Sequence, residues 1–259
     1  MSAVFRRQPA ASLSLVITVL AMIATPLFPR GGNERQLLAN VVVLGLLGVG
    51  VFSAWATHGI RSVVAAMSVM VLTFGVELLG SSTGFPFGEY DYTTALTPRL
   101  GGVPLLVSCA WAAITLIVHG MFHRAPCATW QRVILMAASI TAWDVFLDPQ
   151  MVEEGYWKWE TSSLAFRGIP LVNYAGWGAT ALVTSVTVVA LCGRTSTARH
   201  SSNGIGIPLI TYATLTVMYT IGFVFFFGDI VVAFVGAIAM GWCLWRAVVL
   251  RVRPIGAVE

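Results

Sequence analysis

Glu77, Asp144 and Asp148 are carboxylates set inside otherwise apolar stretches of this 259-residue chain. A charged side chain at membrane depth costs about 2.5–3.5 kcal/mol on insertion scales, so such a group faces protein or a cavity and is a functional candidate. Asp144 and Asp148 stand one helical turn apart, on one face. Removal from water and a like-charged neighbour both favour the neutral acid. At least one of the three is therefore expected to keep its proton at neutral pH, as a proton donor to a poor base must. The competing structural reading is that these acids cap or pair at helix ends: Asp148 precedes Pro149 nearest the surface, and Arg167 or Lys158 could neutralise them.

Each acid opens a longer pattern. Phe74-Gly75-Val76-Glu77 leads to Gly88-Glu89-Tyr90-Asp91-Tyr92, Gly102-Val103-Pro104 and Trp111. Ala142-Trp143-Asp144 leads to Gly155-Tyr156-Trp157-Lys158-Trp159, Gly168-Ile169-Pro170 and Trp177. Glu77 and Asp144 precede their glycines, Gly88 and Gly155, by the same spacing, so the chain reads as a duplicated unit with copies at about 70–123 and 137–193. Tyr90/Tyr92 and Trp157/Trp159 are spaced two apart, and an extended segment would point both rings of each pair one way. Phe87, Trp143 and Asn173 join them as candidate lining residues, with Trp111, Tyr174 and Trp177 just within the same rim. Aromatic belts at a membrane interface account for part of this enrichment. The alternation points further, to a groove for a long apolar molecule whose π faces could stabilise a carbocation.

The elements that must position these groups follow from composition. With 57% hydrophobic and 10% charged residues and a mean hydropathy of +0.82, the chain is far from an average soluble domain. We expect an all-α, polytopic membrane bundle forming one integral membrane domain over 1–259. Spans of about 20 apolar residues fall near 13–29, 36–57, 62–80, 102–122, 130–148, 171–193, 205–227 and 229–250. The last two are separated by little more than Gly228 and Asp229. Short cytoplasmic loops carry excess Lys and Arg. Arg6, Arg7, Arg61, Arg124, Arg132, Arg194, Arg199, Arg246, Arg251 and Arg253 all fall on one side of such a bundle. Both termini are thus expected in the cytoplasm, with an uncleaved first helix and a multi-pass protein in the cell membrane. The basic balance reports orientation and excludes nucleic-acid binding as its explanation. Helices three and five then run in the same direction, as in a parallel repeat about an axis along the membrane normal, which brings Glu77 and Asp144 to similar depth.

Cys109, Cys127, Cys192 and Cys243 show no CxxC spacing, so neither a zinc site nor a disulfide framework is expected. His119 and His123 have ligand-like helical spacing but sit at the cytoplasmic end, away from the acids, and read as an interfacial pair. No metal is expected, and four histidines are too few for a di-iron hydroxylase.

The chain resembles the membrane carotenoid hydratases. The resemblance rests on Glu77, the run Thr83-Gly84-Phe85-Pro86-Phe87-Gly88, Tyr90, Tyr92, Gly102-Val103-Pro104, Trp143-Asp144, Leu147-Asp148-Pro149-Gln150-Met151, Gly155, Trp157, Trp159, Gly168-Ile169-Pro170 and Asn173. It covers the central half of the chain, and the flanking helices only by hydropathy. Leu96-Thr97-Pro98 departs from the Leu-Gly-Pro expected there. The resemblance implies addition of water across the terminal double bond of an acyclic C40 or C50 carotenoid end group, giving a tertiary alcohol without a cofactor. On this reading Asp144 donates the proton, and Glu77 or Asp148 orients the water and takes its proton. Tyr90, Tyr92, Trp157 and Trp159 line the end-group pocket. Substrate, water and membrane lipid are the expected partners, with association with other carotenoid enzymes left open. A carotenoid cyclase starting from the same protonation, a carotenoid prenyltransferase and a non-catalytic carotenoid or lipid transporter are the competing classes.

Overall fold

The computed structural model describes residues 6–160, 164–193 and 206–252; Arg194, Arg199, Arg253 and the chain termini, used above for orientation, lie outside them. Eight long helices make up the bundle: α1 Pro9–Ala24, α2 Asn33–His58, α3 Ile60–Thr83, α4 Leu105–Phe122, α5 Thr129–Glu153, α6 Leu171–Cys192, α7 Ile207–Gly222 and α8 Ile230–Val252. Seven of them, counting the turns that extend α1 to Leu27 and α7 to Phe227, are long and apolar enough to cross a membrane. The remaining one, α5, is long enough at 25 residues but carries Arg132, Asp144, Asp148 and Glu153. The helix that falls outside that description is thus the one bearing two of the three candidate acids.

Local signals explain the breaks. Gly59, alone between α2 and α3, has φ +56, a conformation glycine adopts at no steric cost. Gly228 closes the π-turn after α7 in the left-handed conformation. The Asp229 carboxylate then accepts from the backbone N–H groups of Val231 and Val232, capping α8. Ile207–Phe227 and Ile230–Arg251 are therefore two separate candidate spans, as expected.

Two of the boundaries that differ from the sequence reading bear on the site. Val103–Pro104 (β3) pairs with Arg99–Leu100 (β2) in a short antiparallel hairpin, so α4 starts at Leu105 rather than 102. Helix α5 does not stop at 148 but passes through Pro149 to Glu153. Asp148 is consequently an interior helical residue, 1% exposed, and no surface cap.

The two central segments repeat one order of elements. Helix α3, strand β1 (Tyr90–Tyr92), hairpin β2–β3 and helix α4 are echoed by α5, β4 (Trp157–Trp159), the hairpin β5–β6 (Ala165–Phe166 with Ile169–Pro170) and α6. Strands β1 and β4 pair with each other, antiparallel, joining the two segments above the bundle. Helix α4 is the central post, with 67% of its most apolar stretch buried against 28% for α1 and α2. It packs on α2 and α3, while α6 packs on α3 and α5. Outward faces are apolar: Ile230, Phe234, Ile238, Trp242 and Trp245 form an exposed stripe along α8, the face a helix presents to hydrocarbon rather than to water.

Candidate functional site

The β1–β4 pairing builds one wall. Its register sets Tyr90 opposite Trp159, Asp91 opposite Lys158 and Tyr92 opposite Trp157. Side chains alternate across a strand, so the four rings face the bundle while Asp91 and Lys158 are exposed. Tyr90 and Trp159 have centroids 4.9 Å apart, and Tyr92 meets Trp157 edge-on at 5.8 Å. Below them, Phe87 is wedged between α3 and α6. A Cβ added at Gly80 would lie 2.8 Å from its ring, and one at Gly176 would lie 2.7 Å from it and 2.7 Å from the Pro86 carbonyl oxygen.

Glu77, on α3 and 4% exposed, is held by three neutral donors. The Tyr90 and Tyr92 hydroxyls each donate to Oε2 at 2.7 Å, and the Trp111 indole N–H donates to Oε1 at 3.0 Å. Burial, then the charge of Glu77, pushes both phenols up from the ordinary tyrosine value, so they remain donors at neutral pH. Trp111 in turn stacks on Trp177 at 4.1 Å.

Asp144 and Asp148 have a different setting. They are 0% and 1% exposed on one face of α5. The Asn173 amide, 0% exposed on α6, donates to Oδ2 of Asp144 at 3.2 Å and to Oδ2 of Asp148. An amide nitrogen carries two hydrogens, so one side chain serves both acids. The two carboxyls also contact each other, and Oδ1 of Asp144 is buried without a hydrogen-bond partner.

A cavity of about 430 Å³ joins these groups, within the range of ligand pockets. Glu77, Asp148 and Asn173 line it, whereas Asp144 lies behind Asp148 and outside the lining. Away from the acids the walls become aliphatic, with Val42 and Leu46 of α2 and Met22 and Ile23 of α1. Ile23, Ile221 and Phe226 line the cavity and are also exposed on the outside of the bundle. Its mouth therefore opens sideways, between the adjacent ends of α1 and α7.

Guanidinium groups near this end pair with other carboxylates. Arg35 grips Glu154 with two hydrogen bonds, Arg30 meets Glu153 at 3.1 Å, and Arg167 meets Asp229 at 2.8 Å. The competing reading, neutralisation of the acids by Arg167 or Lys158, is not met: Arg167 is tied to Asp229 and Lys158 is exposed. Tyr90, Tyr92, Trp111 and Asn173, which donate to the three candidate acids, are all neutral.

The sequence matches the family described as carotenoid biosynthesis protein over residues 37–243. The chain belongs to that family. It is also 34% identical, over 126 residues, to the bisanhydrobacterioruberin hydratase of Haloarcula japonica; the match covers 45% of this chain and 41% of that protein. The aligned region thus spans about two fifths of the relative's length. No solved structure matches the chain.

In this family member, Glu77, Phe87, Tyr90, Tyr92, Trp143, Asp148, Trp157, Trp159 and Asn173 all reach the cavity. Asp144 alone of the candidate residues stands one layer back. Trp111 and Trp177, expected only at the rim, form a stacked wall, and Trp111 adds the third donor to Glu77. Their matching places after Gly-Val-Pro and Gly-Ile-Pro were the signal. Arg35, Glu154 and the aliphatic arm from α1, α2 and α7 also line the cavity, and hydropathy alone gave no sign of them.

Proposed function

We propose that the protein adds water to the terminal carbon–carbon double bond of an acyclic carotenoid end group, giving a tertiary alcohol. The observation that carries this reading is the setting of Glu77 and Asp148: buried carboxyls, bonded to neutral donors, facing one aromatic-walled cavity with a sideways apolar mouth. The name of the Haloarcula relative, a hydratase, supports the reaction class.

Protonating a trisubstituted alkene forms a C–H bond from the π pair and leaves a tertiary cation. The donor must be a carboxylic acid away from water, since water would level its strength. Asp148 and Asp144 share one proton between them, and Asp148 presents it because Asp148 is the member that faces the cavity. Asn173 fixes both carboxyls. Trp111, Trp177, Trp157 and the tyrosines offer their π faces to the cation. Water then attacks, its oxygen forming the new C–O bond, while Glu77 accepts the proton released. Proton transfer from Glu77 back to the aspartate pair restores the resting state, so the net change is alkene plus water giving alcohol. The aliphatic arm holds the adjoining polyene, which enters laterally from the membrane.

The test is expression in a host that accumulates linear carotenoids, followed by chromatography and mass measurement. A product heavier by one water per reacted end is expected. An isomer of unchanged mass with a ring would replace the reading with a cyclase, and unchanged substrate would remove catalysis on that end group.

A further inference from the structure

At the end of the bundle opposite the aromatic chamber, three helices bring metal-ligating side chains together. His58 ends α2, His119 lies in the last turn of α4, and Cys192 ends α6. One ligand atom from each lies within 4.8 Å of the other two. The His58 and His119 Nε2 atoms are 3.3 Å apart. That matches the edge of a tetrahedron with metal–nitrogen bonds of about 2.0 Å, an edge of about 3.3 Å. His119 and Cys192 are each 1% exposed. His123, one turn beyond His119, has its ring centroid 5.9 Å from that of His58 and 5.7 Å from that of His119, and its Nε2 is unpartnered.

We propose that His58, His119 and Cys192 bind one zinc ion, with His123 as the side chain placed to supply a fourth ligand. Two imidazoles and a thiolate suit a borderline-soft ion that accepts tetrahedral geometry, and exclude magnesium and calcium, which take oxygen ligands. The ion would clip together α2, α4 and α6, all of which also wall the cavity. The clip stands apart from the carboxyls and takes no part in the hydration proposed above.

The experiment uses the full chain, purified in detergent with a tag free of histidine and cysteine, then stripped with chelator and titrated with zinc(II) or cobalt(II). One zinc per chain is expected, with a raised unfolding temperature. Cobalt is expected to give the intense visible bands of tetrahedral geometry and a near-ultraviolet thiolate charge-transfer band. Cys192→Ser should abolish that charge-transfer band, and His58→Gln or His119→Gln should weaken binding by more than about tenfold. His123→Gln should weaken it less. Misfolding of a variant leaves the cobalt spectrum of the wild-type chain as the deciding measurement. Octahedral cobalt bands, absence of the charge-transfer band in the wild type, or its persistence in Cys192→Ser would each overturn the assignment.

Discussion

Glu77 and Asp144 occupy matching places in the two halves of the bundle, yet their surroundings differ. Glu77 takes three hydrogen bonds from Tyr90, Tyr92 and Trp111. In the other half, the Asn173 amide is divided between Asp144 and Asp148. Donors stabilise the charged form of a carboxyl, and crowding with a second carboxyl stabilises the neutral one. In the reaction proposed above, the two segments take the parts of base and acid because different groups surround each carboxyl. Asp148, which has no counterpart in the first half where Ser81 stands, is the residue that breaks the symmetry.

The largest effect expected from disturbing this contrast is that of Asp148→Asn. A positioned acid contributes about 10²–10⁴-fold, so hydration per folded protein should fall by at least about 100-fold, measured as alcohol formed in isolated membranes. Asp144→Asn should cost about tenfold to 100-fold, the worth of a hydrogen bond to a charged group, because in the proposed reaction Asp144 acts through its neighbour. The reverse order in that assay would exchange the roles of the two aspartates.

Packing gives a third contrast. Gly176→Ala drives a methyl against a backbone oxygen as well as the Phe87 ring, whereas Gly80→Ala meets side-chain atoms, the Phe87 ring at 2.8 Å and the Tyr90 hydroxyl at 2.9 Å. Overpacking costs about 1–3 kcal/mol, against a helix-propensity gain of about 1 kcal/mol for replacing glycine. Thermal unfolding in detergent should show a lower midpoint for Gly176→Ala than for Gly80→Ala.

The smallest effects are those of Tyr90→Phe and Tyr92→Phe. Each removes one hydrogen bond worth about 0.5–1.5 kcal/mol, so each should slow hydration roughly twofold to tenfold, read in the same membrane assay. Both phenols hold their protons to higher pH in the folded chain than in the unfolded one. Their contribution to stability is full below about pH 10 and is lost as pH rises beyond it. In the double variant, the alkaline decline of the unfolding midpoint should be shallower than in the wild type.

Much of this was legible in the sequence because the signals are local. Runs of apolar residues revealed the spans, Gly228 with Asp229 marked the break between α7 and α8, and two-residue alternation at Tyr90/Tyr92 and Trp157/Trp159 announced extended segments with rings on one side. The place of Asp148 was harder to read. A proline after it suggests a helix end, since a proline inside a helix loses one backbone hydrogen bond and crowds the carbonyl four residues back, at about 3 kcal/mol; packing of α5 against α6 and α8 offsets that cost and carries the helix onward. The pairing of β1 with β4 was also hidden, since nothing in either strand names its partner.

Hydropathy, spacing and residue type by themselves determined that this is a helical membrane protein with buried carboxyls, alternating aromatics and a repeated central unit, because those properties depend on neighbours a few positions away. Tertiary structure alone decided that Asp148 rather than Asp144 meets the cavity, that Asn173 bridges both, and that His58, His119 and Cys192 converge at the far end. Each of these depends on how helices distant in sequence rotate about their axes when they pack. A single turn gives each side chain a direction relative to its own helix only, and the bundle gives it a direction in space.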